Sequence, residues 1–150
     1  MSRLFLGLLI LVLTVGAAGS PGASAQAPKS HRIAIQIDSD DPATMNVALG
    51  NIGNAAALYA KRGEKVEIEL VAYGPGLTML RDDVSPVKAR LAALHESLPF
   101  LVLSACRIAM EAAEAKEGKP VPLVPGAAVV PSGVVRLVEL QEQGWSYVRP

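Results

Sequence analysis

The stretch Arg32-Ile-Ala-Ile-Gln-Ile-Asp-Ser-Asp-Asp-Pro42 decides the fold. Its first six residues form a short β-branched run suited to a strand, and the acids that follow lead into a proline. An Asp just ahead of a Pro at the first helical position is the chemistry of a helix start. Ala43 to Arg62 is then rich in Ala and Leu, carries Val47, Ala48, Ile52, Ala55, Leu58 and Tyr59 at helical spacing, and stops at Gly63. One strand followed by one helix is the unit from which the rest is read.

Downstream the unit repeats. Val66 to Tyr73 reads as a second strand running into the turn Gly74-Pro75-Gly76, and Leu77 to Leu80 reads as a helical turn. Pro86 to His95 is a helix with Val87, Leu91 and Leu94 on one face. Phe100 to Ser104 is a continuous apolar strand of the kind buried on both faces of a parallel sheet. Ala105 to Glu117 is helical and closes at Gly118. After the Pro-rich stretch from Pro120 to Gly126 come a short strand, Ala127 to Val130, and an amphipathic helix from Val134 to Gln143. Val134, Val135, Val138 and Leu137 are expected to face inward on that helix, and Trp145 to Val148 is the last strand. Strict alternation implies right-handed crossovers and predicts a three-layer, flavodoxin-like α/β sandwich around a mostly parallel five-stranded sheet.

Upstream, Arg3 precedes an apolar run from Leu4 to Val15 and a small-residue segment ending in Ala23-Ser24-Ala25. A positive start, a short apolar core and an Ala-x-Ala site make a secretory signal peptide, with cleavage expected after Ala25. The run is shorter than the roughly 20 apolar residues a spanning helix needs. The alternative is a retained anchor. Residues 1–25 are thus expected to be a leader, 26–31 a linker and 32–150 one domain, placed in a periplasm or outside the cell, with no stable membrane insertion after cleavage. The leader also accounts for much of a 51% hydrophobic composition and a mean hydropathy of +0.34. With 14 Lys+Arg against 14 Asp+Glu, nothing is left over for neutralising phosphates, so nucleic acid is not an expected partner.

Ligands of such sheets sit beyond the carboxyl ends of the strands, where Asp38 to Asp41, Tyr73 to Gly76 and Ser104 to Arg107 fall. Cys106, the single cysteine, is expected in the first turn of a helix with Arg107 beside it, a setting that stabilises negative sulfur. A buried Cys acting as a small hydrophobe is the alternative. Without a second Cys there is no internal dithiol couple, which leaves persulfide, sulfenate or mixed-disulfide states. Asp38, Asp40 and Asp41 gather carboxylates after the first strand, although capping explains Asp41 and extends to Asp40. Tyr73, Gly74 and Gly76 read as a turn at the rim of a pocket, without the spacing of a phosphate loop. Only His31 and His95 exist, one in the linker and one near a helix end, so no metal site is expected and no cofactor is called for. Ser104 has no evident base, and no hydrolase or oxidoreductase motif is legible.

Four segments together carry a resemblance: Asp38-Ser-Asp-Asp-Pro-Ala-Thr-Met45, Val71-Ala-Tyr-Gly-Pro-Gly-Leu77, Ser104-Ala-Cys106 and Val130-Pro-Ser-Gly-Val-Val-Arg-Leu-Val-Glu-Leu-Gln-Glu-Gln-Gly144. They resemble the DsrE/DsrF-like family of sulfur-relay proteins, and its secreted or periplasmic branch most closely, over Arg32 to Pro150. The resemblance implies a flavodoxin-like fold, a homo-oligomer such as a trimer or hexamer, and a persulfide carried on Cys106. It also implies Tyr73 to Gly76 as the neighbouring pocket wall, while Arg107 departs from the small polar residues that follow the cysteine in related sequences. Its partners would be a sulfur donor or acceptor protein or a small sulfur compound. From position alone, Arg107 is expected to stabilise the thiolate, and Asp38, Asp40, Tyr73, Gly74, Gly76 and Ser104 are expected around the pocket at the strand ends. The rival expectation is a non-catalytic small-ligand or partner-binding module in which the Cys is structural.

Overall fold

A computed structural model describes residues 29–150; the leader expected over residues 1–25 lies outside them. Strand β1 (Ser30–Ile37) begins two residues earlier than the β-branched run. Ser30 and His31, read as the end of a linker, pair with Lys65 and Val66 of β2 (Lys65–Ala72). His31 is held there by stacking on Tyr59 at 3.9 Å and by a 3.0 Å bond to Glu64. Helix α1 (Pro42–Lys61) starts as its sequence dictates, with the Asp41 carboxylate accepting from the Ala43 and Thr44 amides.

A 3-10 turn (Gly74–Leu80), helix α2 (Lys88–Ser97), strand β3 (Leu101–Cys106), helix α3 (Arg107–Glu117), strand β4 (Ala127–Val130), helix α4 (Gly133–Glu142) and strand β5 (Ser146–Val148) complete the chain. The five strands are all parallel, in the order β4-β3-β2-β1-β5. From β1 to β4 each strand is laid on the same side of the last, so right-handed crossovers put α1, α2 and α3 on one face. The return from β4 to β5 runs the other way and puts α4 on the opposite face. That is the expected α/β three-layer sandwich, but with unequal layers.

The thick layer holds the main core, where Ile35, Ile37, Ile68, Leu70 and Leu103 meet Met45, Leu49, Ile52, Leu91 and Met110. Val47 and Leu58, assigned to the helical face of α1, are instead half-exposed, and Met45 and Leu49 are buried in their place. The thin layer is only Ala34 and Val71 under Leu137 and Leu140, flanked by Tyr73 and Trp145. Two sheet side chains bury a narrow helical stripe. Val134, Val135 and Val138, expected inward, are therefore 55%, 53% and 47% exposed. On β3 the expectation of burial on both faces holds for Ser104 and Cys106 and fails only at Val102, near the start of the strand, which is exposed.

Candidate functional site

Where two adjacent parallel strands send their following helices to opposite faces, a crevice opens at their carboxyl ends. Here the two strands are β3, which leads into α3, and β4, which leads into α4. Cys106 is the last residue of β3 and the N-cap of α3, not a residue of its first turn, and Val130, the last residue of β4, is its register partner. Two helices thus begin beside the crevice, α3 directly after the cysteine and α4 after its cap Ser132, whose hydroxyl accepts from the Val135 amide. Val130, Pro131, Ser132, Val135, Arg136 and Glu139 line a cavity of about 230 Å³ there. Cys106 itself is 5% exposed.

Register extends the site across the sheet. Ile37 pairs with Ala72 and Ala72 with Ala105, and the Tyr73 amide donates to the Ile37 carbonyl at 3.1 Å. One residue further on, Asp38, Tyr73 and Cys106 fall in a row along the rim of the α4 face. Burial first, then the neighbouring Asp38 and Tyr147, push the Tyr73 phenol above its usual pKa, with Arg149 and Gln36 acting in the opposite sense. Asp38 accepts from Arg149 at 2.9 Å, and Tyr147 donates to Gln36 at 2.6 Å.

The remaining expected residues divide. Ser104 lies on the same face as Cys106, one pleat behind it, and donates to Glu69 at 2.7 Å instead of entering a pocket. Gly76 is buried, and a side chain there would overlap the Ile37 carbonyl, so the glycine lets the turn pack closely on the end of β1. Asp40 and Gly74 do share a cavity, of about 370 Å³, but with the 3-10 turn, Arg81 and the Ala-lined side of α3. Strand alternation puts that cavity on the other face of the sheet from the Cys106 side chain. Arg107 is exposed and makes no ion pair among the described residues. Among those residues no cluster of three His, Cys, Asp or Glu side chains could hold a metal.

Two charged groups were not singled out from the sequence. Glu69, 2% exposed in the central strand β2, accepts from Arg136 of α4 through Nε at 2.8 Å and Nη2 at 2.7 Å. The carboxylate raises the guanidinium pKa in turn. Glu69 ends the alternating half of its strand, where Glu67 and Glu69 both read as residues of a solvated face, so the sequence held no signal that sets Glu69 apart. Arg81, buried below the 3-10 turn, is gripped by both carboxylate oxygens of Asp83 and of Glu117, and it holds both acids below their usual range.

A family model described as the DsrE/DsrF-like family matches residues 31–150. The solved structure of a protein of unknown function, MTH1491 from Methanobacterium thermoautotrophicum, is similar with a TM-score of 0.69. It is 32% identical in sequence, over 80% of this chain and 99% of that one. The chain has no match among curated proteins.

Proposed function

The chain belongs to the DsrE/DsrF-like family, a family tied to sulfur relay, and from that premise we propose that it handles sulfane sulfur with Cys106 as the persulfide-bearing residue. One observation carries this reading: the single cysteine stands at the strand pair whose helices diverge, with α3 starting from it and α4 starting beside its partner Val130. Helix N-termini offer free N–H groups and partial positive charge, which favour a negative sulfur. The thiolate attacks the outer sulfur of a donor, a new S–S bond forms on Cys106, the donor's own S–S bond breaks, and its electron pair leaves with the remainder. Cyanide treatment of the loaded protein tests the second half of the cycle. Thiocyanate should form with wild type and not with Cys106→Ala; equal release from both would refute the reading.

Export to a periplasm or beyond belongs to the same proposal. It is supported by Arg3, the apolar run from Leu4 and the Ala23-Ser24-Ala25 site. Among the described residues no helix is long and apolar enough to cross a membrane. N-terminal sequencing of the exported protein should start at Gln26, and an intact Met1 on all of it would contradict a cleaved leader. Self-association is supported by Val134, Val135 and Val138 in one exposed row on α4. The second reading, a binding module with a structural cysteine, is favoured by the low exposure of Cys106.

A further inference from the structure

Resting on that reading, we propose that Tyr73 and Gly133 close a gate over the Cys106 side chain, and that this gate makes the cysteine selective for slender donors that present a terminal sulfur end-on. Val130 pairs with Cys106, and Tyr73 follows Ala72, whose partner is Ala105, so the three residues form a row with Cys106 in the middle. Ala72 and Ala105 belong to the thick core, and alternation therefore turns the Tyr73 and Cys106 side chains to the α4 face. On that face Gly133, three residues after Val130, packs on Tyr73. A Cβ on Gly133 would come within 2.7 Å of the Tyr73 Cβ and 3.2 Å of its ring. Gly133 has no positive φ, so its missing side chain provides closeness to Tyr73 and not backbone freedom.

The chain thus leaves β4 on one side of the cysteine and touches down on the other. Two strand spacings are about 9.6 Å and three residues reach about 10 to 11 Å when fully extended, which leaves little length for a detour around the sulfur. Burial deepens along this strap, from exposed Pro131 through half-buried Ser132 to buried Gly133, and Cys106 is 5% exposed. The cavity of about 230 Å³ lies against Val130, Pro131 and Ser132 but not against Gly133 or Cys106, so the strap has open space on its outer side into which it can lift. Exchange requires the thiolate to reach the outer sulfur of a donor. Under the closed strap a bare terminal sulfur, as in an inorganic polysulfide, can enter where a sulfur flanked by bulky groups cannot. The thiolate then bonds to that sulfur, the S–S bond behind it breaks, and the electron pair leaves with the shortened donor.

Two neutral reagents that modify thiolates by exchange but differ in bulk test the gate. Methyl methanethiosulfonate leaves a methylthio group on Cys106 and expels methanesulfinate, whereas dithiodipyridine leaves a pyridylthio group and expels pyridinethiolate. The ratio of the two rates on the native protein is compared with the same ratio on the urea-unfolded chain. Wild type should disfavour the bulky reagent by about tenfold or more relative to the unfolded chain. Tyr73→Ala removes the ring and Gly133→Ala wedges the strap off it, and each should bring the ratio to within about threefold of the unfolded one. Tyr73→Phe, which keeps the ring, should retain the wild-type ratio. So should Asp41→Ala, which loosens the start of α1 on the other face of the sheet. A wild-type ratio equal to that of the unfolded chain would overturn the gate. Folded Tyr73→Ala and Gly133→Ala proteins with the wild-type ratio, or an equal change in Asp41→Ala, would overturn it as well. Cys106 inert to both reagents in all of these folded proteins would overturn it together with the persulfide reading. A gate that behaves as expected in a protein that releases no thiocyanate would sink the persulfide reading alone.

Discussion

A carboxylate buried in a central strand is costly unless its oxygens are met, and those of Glu69 are met by Arg136 and Ser104. Such a pair adds little over an apolar replacement, yet losing one partner leaves a bare charge. Arg136→Ala should therefore lower stability by about 3 kcal/mol, whereas Glu69→Leu with Arg136→Leu should lie within about 1 kcal/mol of wild type. Urea unfolding of the three proteins decides; a double variant as weak as the single one would contradict this account. Gly76 is constrained by sterics instead. Gly76→Ala forces a methyl into the Ile37 carbonyl and should cost about 2 kcal/mol or more. A melting temperature equal to wild type would show that the turn relaxes freely.

At the scale of elements, α1 was the most legible, because its cap, its proline and its terminal glycine are all local signals. Asp41→Ala should cost about 1 kcal/mol through the loss of the two amide bonds at its start. An unchanged unfolding midpoint would contradict that. Helix α4 was legible in extent and illegible in facing. Val134, Val135 and Val138 make as good a stripe as Gly133, Leu137 and Leu140, and only the width of the sheet face under the helix separates the two. That width follows from the strand order, which no local pattern encodes. That Cys106 follows an apolar strand was readable, since apolar runs announce strands, but its place as the last strand residue was not, because the small residues Ser104 and Ala105 mark no clear boundary. Nor was its partner Val130, since pairing with β4 is a long-range fact. Arg136 and Glu69 were missed because each looks like an ordinary surface charge until 67 residues of separation are closed.

Over the whole molecule, the Arg81 clamp joins the 3-10 turn to α3 and sits beside the Pro-rich segment, whose Pro122 carbonyl accepts from the Asp82 amide. Asp83 and Glu117 are lowered in the folded state, so their contribution is complete above the ordinary carboxylate range near about 4 and is lost as pH falls through the lower folded values. Melting temperature should drop more steeply on acidification in wild type than in Arg81→Met, and parallel curves would contradict the clamp. The exposed valine row predicts a second whole-molecule property. Val135→Glu with Val138→Glu should shift sedimentation toward monomer, and a wild type that already sediments as a monomer would contradict self-association.

The central claim concerns one sulfur atom on one side chain, and intact-mass spectrometry after exposure to a sulfane-sulfur donor addresses it most directly. The account predicts a gain of a single sulfur on wild type, reversed by reductant and absent in Cys106→Ala. A wild-type mass that stays unchanged, or a gain that persists in Cys106→Ala, would contradict it.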